Sequence, residues 1–440
     1  MSKVTPTPVG TTNTERGASG GGIPFGTDGW RGVIADDCTF DQIRRVAAAT
    51  ARVYVGRKGP GDARRIVVGH DTRFLSPEFA GTAAEVFGRA GIDVLLTDRP
   101  IPTPAVSFHV RLLRLAGGIA ITASHNPAPY NGFKFKAHFG GSAPEELYRE
   151  ISDEADLPLP DAARPGRIDV ADLYGPFRDG LATLLDLDAI RSAGLSVLAD
   201  SMHGAAGSLV AEVAGGGATR VVSFRAERDA LFGGVHPEPI ASNLASASRE
   251  VLDRGLDLAV AHDGDADRLG VLDRRGNFVS PHRILALLLL HGFRRRGLSG
   301  GIAKTFSTSL LIDRIAKKLN VPLFETPIGF KHVADLMNRG DAVAGGEESG
   351  GYAFAFHLPE RDGVLNGLLL LESLALSGRD LDGALEDLEK EFGAFAYGRR
   401  DVYRPVPVIR SYLEKVRADP PRRIAGEAVT AVADMDGIKY

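Results

Sequence analysis

One pattern occurs three times in this 440-residue chain: an apolar strand, a loop of small or polar residues, an amphipathic helix and a second strand. The copies are "RIVVGHDTRFLSPEFAGTAAEVFGRAGIDVLLTD" from Arg65, "LSVLADSMHGAAGSLVAEVAGGGATRVVSF" from Leu195 and "GIAKTFSTSLLIDRIAKKLNVPLFETP" from Gly301. Strands that are nearly continuous in apolar residues, each followed by such a helix, build βαβ units of a mostly parallel sheet. Their spacing predicts three related α/β domains with mixed, mostly parallel sheets around a central cleft. One larger doubly wound sheet is the alternative.

The expected domains are residues 23–175, 176–277 and 278–393, after a disordered lead over 1–22 that is rich in Thr, Gly and Pro. The Pro-bearing stretch "DEADLPLPDAARPGR" and the turn near "DRRGNFVSPHR" read as boundaries. From 394 the chain carries a basic helix around "IRSYLEKVRA" and a strand, an Asp436-Gly437 turn and a short second strand. A hairpin of that size cannot bury its own apolar face, so 394–440 reads as an incomplete fourth α+β domain.

Composition narrows the class. A formal net charge of −4 gives no basic footprint for nucleic acid. Cys38 is the only cysteine, which excludes an intrachain disulfide and suits a reducing compartment. The first residues contain no apolar signal-peptide core, and the longest apolar run, Ile284 to Leu290, is far shorter than the ~18 residues a membrane span needs. A cytoplasmic protein with no membrane partner is expected.

Three loops concentrate reactive side chains. In "ITASHNPAPYNGFKFK" an apolar strand delivers Ser124 to a loop bounded by Pro127 and Gly132, with His125, Asn126 and Lys134 supplying donors around it. A Ser-His hydrolase would need the strained G-x-S-x-G elbow, which is absent; a turn whose side chains only cap backbone groups would look the same in isolation. In "AHDGDADRLGVLD" Asp263, Asp265 and Asp267 stand at alternate positions, and charges so close require water or a hard cation between them. An EF-hand is excluded because its sixth and twelfth positions would be Arg268 and Arg274; Mg²⁺ fits better. In "VAGGEESGGYAF" Glu347 and Ser349, between paired glycines, can grip vicinal sugar hydroxyls. Gly329, Lys331 and His332 in "TPIGFKHV" add a cation that could meet a phosphate, and "FGTDGWRG" supplies Arg31 in a tight turn.

Together these segments resemble the α-D-phosphohexomutases, in particular the phosphoglucomutases and phosphomannomutases. "TASHNP" with "YNGFK" is similar to the family's phosphoserine loop, "DGDADR" to its metal loop and "GEESGG" to its sugar-recognition loop, in the family's order. The resemblance implies an isomerase that interconverts hexose 1-phosphate and hexose 6-phosphate, glucose favoured and mannose possible, through a phosphoserine and a hexose 1,6-bisphosphate. It implies Ser124, Lys134, His125 and Arg31 as the catalytic set, and Mg²⁺ held by Asp263, Asp265, Asp267 and a phosphate oxygen on Ser124. Arg268, Glu347, Ser349, Gly329, Lys331 and Lys304 would bind substrate, and glucose 1,6-bisphosphate would activate. A monomer or homodimer is expected. The family's fourth-domain "RPSGTEP" loop has no counterpart in the sequence, which keeps two alternatives open: a non-catalytic sugar-phosphate-binding paralogue and a phosphatase-like side activity.

Overall fold

The computed structural model describes residues 23–26, 28–56, 60–158, 162–402 and 404–440; the expected lead over 1–22 lies outside them. Its strands form three separate principal sheets rather than one doubly wound sheet. The first contains β1 (Trp30–Val33), β2 (Arg65–His70), β3 (Asp93–Thr97), β4 (Gly117–Ile121), β5 (Tyr130–Ala137) and β6 (Ile168–Ala171), in the order β1-β5-β4-β2-β3-β6. The second contains β7 (Ser196–Asp200), β8 (Arg220–Phe224), β9 (Leu258–His262), β10 (Leu269–Asp273) and β11 (Phe278–Val279), in the order β11-β10-β9-β7-β8. The third contains β12 (Gly301–Thr305), β13 (Leu323–Thr326), β14 (Ala342–Gly346) and β15 (Tyr352–Phe354), in the order β13-β12-β14-β15.

Each repeated sequence pattern becomes a parallel pair joined through a helix: β2 with β3, β7 with β8, and β12 with β13. In every sheet a third parallel strand follows, β4, β9 or β14, and the chain then reverses into an antiparallel neighbour, β5, β10 or β15. β2, β4, β9 and β12 are almost wholly buried, which is why they read as continuous apolar runs. The expected boundary stretch "DEADLPLPDAARPGR" ends directly before β6, which pairs with β3 at the edge of the first sheet. Likewise β11 pairs with β10 and belongs to the second sheet.

The largest core joins all three units. At its centre the helix Gly363–Ser377 is apolar on nearly every side, burying Leu365, Leu368, Leu369, Leu370, Leu371 and Leu374. Beyond residue 394 lie a helix, Val406–Ala418, with no buried residue, and two two-stranded hairpins, β16–β17 (Arg423–Ile424, Glu427–Ala428) and β18–β19 (Ala433–Asp434, Ile438–Lys439). The last hairpin rests on the third unit, where the Ile328 amide donates to Asp436 at 2.9 Å and Lys439 pairs with Glu325 at 2.8 Å. Among the described residues no helix is long and apolar enough to cross a membrane.

Candidate active site

The three reactive loops occupy the same connection in their units, the reversal from the last parallel strand into its antiparallel neighbour. Ser124 follows β4, the three aspartates follow β9 and Glu347 follows β14. Ser124 is held at φ 52°, in the left-handed region that L-residues seldom adopt. Its amide donates to Thr122 Oγ1 at 2.9 Å, and its hydroxyl donates to Asp263 Oδ2 at 2.9 Å across the boundary between the first and second units. His125 Nδ1 lies 3.4 Å from the same hydroxyl oxygen.

Asp263, Asp265 and Asp267 are fully buried, and each offers an oxygen within 4.8 Å of the others. Asp265 Oδ2 accepts from Thr103 Oγ1 at 2.6 Å and from Lys134 Nζ at 2.8 Å, while the Arg268 amide donates to Asp263 Oδ1 at 3.1 Å. Asp265 Oδ1 and Asp267 Oδ1 are buried without any hydrogen-bond partner. Buried carboxylate oxygens are costly when unpaired. Two such oxygens beside a third carboxylate are the hard donor set that Mg²⁺ takes, so the residues fit that ion. Burial, then the charges of Asp267 and Asp265, push the Asp263 carboxyl well above its usual range.

Lys134 is completely buried and meets Asp265, Asp28 (3.0 Å) and Asp267 (3.4 Å). Burial works against its ammonium, but the three carboxylates outweigh it and raise its pKa, so Lys134 is held in its charged form. Burial, reinforced by Arg268 and Arg31, pushes His125 well below its usual range and keeps the ring neutral at pH 7.

A cleft between the units is lined by Arg31, His125, Arg268, Gly329, Lys331, Glu347 and Ser349, together with Asp28, Ser142 and Arg361. Arg31 donates to Asn126 Oδ1 at 2.7 Å, the Gly329 amide donates to Glu347 Oε1 at 3.2 Å, and Lys331 pairs with Glu145 at 2.9 Å. Ser349 Oγ and Arg268 Nε are buried at the cleft without a hydrogen-bond partner, and Arg268 Nε stands 3.9 Å from Asp267 Oδ1. Lys304 is a correction: its ammonium is taken up by Asp313 and Glu325 inside the third unit, and it does not line the cleft.

Two residues absent from the sequence-based set, Arg361 and Asp28, line the cleft, and a Lys136–Glu360 pair stands behind them. Arg361 joins Asp267 (2.7 Å) to Asp28 (2.8 Å) and stands 3.6 Å from Glu347, so it meets a carboxylate of each unit. Asp28 also pairs with Lys136 at 3.4 Å, and Glu360 holds Lys136 from the other side at 2.6 Å. The available signal was "PERDG", a charged run set directly before a helix too apolar to be exposed; such charges are buried only when paired.

Three family models describe this chain as phosphoglucomutase/phosphomannomutase α/β/α domains: domain I over residues 22–157, domain II over 176–276 and domain III over 280–392. The chain belongs to the phosphoglucomutase/phosphomannomutase family. Its members are isomerase-class enzymes that move a phosphoryl group within a sugar phosphate. The Arthrobacter sp. (strain FB24) phosphoglucosamine mutase is 34% identical over 81% of this chain and 79% of its own length. A Komagataeibacter xylinus phosphoglucomutase is 30% identical over 86% of this chain and 74% of its own length. Among solved structures, a phosphomannomutase candidate from Thermus thermophilus superposes with a TM-score of 0.83 and 38% identity, covering 94% of this chain and 90% of that one. The family membership agrees with the fold expected from the sequence.

Proposed function

We propose that this phosphohexomutase interconverts glucose 1-phosphate and glucose 6-phosphate, with mannose phosphates as further substrates, through a phosphate carried on Ser124. The observation that carries the reading is the Ser124 hydroxyl aimed at Asp263 beside two unpartnered aspartate oxygens and the Lys134 ammonium. Phosphoryl transfer needs an aligned acceptor and neutralisation of charge on the transferring oxygens. Mg²⁺ at Asp263, Asp265 and Asp267 would supply part of that neutralisation. The chain supplies the rest: Arg31 and Arg268 at the cleft wall face the phosphate, and Lys134 Nζ donates the proton that a leaving serine or sugar oxygen takes up. When the same oxygen attacks, its hydroxyl proton returns to Lys134, so the lysine ends each cycle as it began; His125, neutral, lies 3.4 Å from Ser124 Oγ. Glu347 and Ser349 grip the ring hydroxyls, whose middle pair nearly superposes when a bisphosphate turns end over end. Glucose rather than mannose rests on "GEESGG" with "YNGFK"; the glucosamine phosphates of the Arthrobacter relative are the natural competitor substrates for comparison.

The test is intact mass with peptide mapping after incubation with glucose 1,6-bisphosphate and Mg²⁺. One phosphate should appear on Ser124, leave when glucose 1-phosphate is added, and never appear on Ser124→Ala. Undiminished isomerisation by Ser124→Ala would overturn the phosphoserine route.

A further inference from the structure

Arg73 lies in the connection after β2, far in sequence from every residue assigned a role above, and its side chain is fully buried. Its guanidinium donates to four main-chain carbonyls, three in the Ser124 loop and one at the first residue of β5: Ser124, Asn126 (2.7 Å), Pro127 (2.9 Å) and Tyr130 (3.1 Å). The remaining Nε–H goes to Asp71 Oδ2 at 2.9 Å. The same Asp71 oxygen accepts from Thr122 Oγ1 at 2.6 Å, and Thr122 in turn accepts the Ser124 amide. Both main-chain groups of Ser124 are therefore governed by the Asp71–Arg73 pair. The second unit closes over it: the Phe232 ring covers the guanidinium at 4.9 Å, and Arg228 donates to the carbonyls of Thr72 and Arg73.

We propose that Arg73 is a positioning residue for phosphoryl transfer, holding the Ser124 loop in its left-handed conformation so that Oγ points at the carboxylate trio. An isolated loop would relax a non-glycine residue out of φ 52°. A planar donor with five N–H groups in fixed directions can pin four carbonyls and one carboxylate at once, which a lysine ammonium with three donors cannot. The reaction it serves is the one proposed above, and the role rests on that reading.

The test uses the full chain carrying Arg73→Lys and Arg73→Ala, with Phe232→Leu as a milder variant that keeps the hydrogen bonds and removes the ring. Arg73→Ala should lower kcat about 100-fold, the scale on which small misplacements act, with KM within about threefold because no substrate contact is lost. Added methylguanidinium should restore part of kcat to Arg73→Ala. Hydrogen exchange should accelerate in the peptide covering residues 121–130 of both Arg73 variants and, to a lesser degree, of Phe232→Leu. Folded Arg73 variants with unchanged kcat and unchanged exchange in that peptide would overturn the proposal. If the unsubstituted chain isomerises no hexose phosphate, the proposed reaction fails, and loop exchange together with phosphate uptake at Ser124 still decides whether Arg73 positions the serine.

Discussion

Ser124 shows how much of the site is built by backbone rather than by side chains. Its carbonyl, already claimed by Arg73, also lies against Gly264 of the metal loop, where an added Cβ would sit 2.5 Å from that oxygen. The contact is backbone on backbone, so no flexible side chain can yield. Gly264→Ala should therefore push the aspartate loop and the serine loop apart, costing about 1–3 kcal/mol of stability and lowering kcat by about tenfold or more. Urea unfolding and steady-state kinetics on the same preparation check both; a variant with wild-type kcat would show that the approach of the two loops is not needed. Ser124, the aspartate trio and Glu347 were legible because each sits in a short local motif. Arg73, Asp28 and Arg361 were not, because their meaning lies in partners far along the chain: 333 residues separate Arg361 from Asp28. The sequence does place Lys304 on a strand, but nothing local reveals that Asp313 and Glu325 will occupy its ammonium.

At the scale of elements, the period of the apolar residues makes the three parallel pairs readable, since a strand buried on both faces must be apolar throughout. Pairing direction at the sheet edge is less accessible. β6 is exposed at three of its four residues, so nothing in its composition announces that it closes the first sheet. The common placement of the three functional loops, at the switch from parallel to antiparallel pairing, likewise appears only when strand order is known. The helix Gly363–Ser377 illustrates how an element can tie the core to the site. Its cap, Asp362, is buried and accepts from the Leu365 amide at 2.9 Å and from His357 Nε2 at 3.0 Å, immediately after Arg361. Asp362→Ala should destabilise the chain by about 1–3 kcal/mol, combining a lost cap with an orphaned buried donor. Denaturant unfolding measures this directly, and a loss below a few tenths would mean that the surrounding leucine core alone fixes the helix start.

Across the whole molecule, the first and third units meet at charges, which gives the cleft a handle on its own opening. Asp28 and Arg361 form the buried part of that contact. Lys331 and Glu145 form its outer part, joining the helix Phe330–Asn338 to the helix Glu145–Asp153 at 2.9 Å. Lys331 is also proposed to meet the substrate phosphate, so Glu145 competes with substrate for one ammonium. The hydrogen bond and charge of Lys331 lower the Glu145 pKa, so the carboxylate is ionised and the competition is present throughout the neutral range. Glu145→Gln removes the competing charge while keeping the side-chain length. KM for the sugar phosphate should fall about two- to fivefold, the modest scale of exposed pairs, with kcat little changed because no reacting atom is touched. Added salt should shrink the difference between variant and wild type, because exposed pairs are screened over about 10 Å at 0.1 M. Kinetics at two ionic strengths give the answer. An unchanged KM at low salt would show that Lys331 does not reach the phosphate, whereas a higher KM would show that Glu145 holds the third unit in the posture that binds substrate.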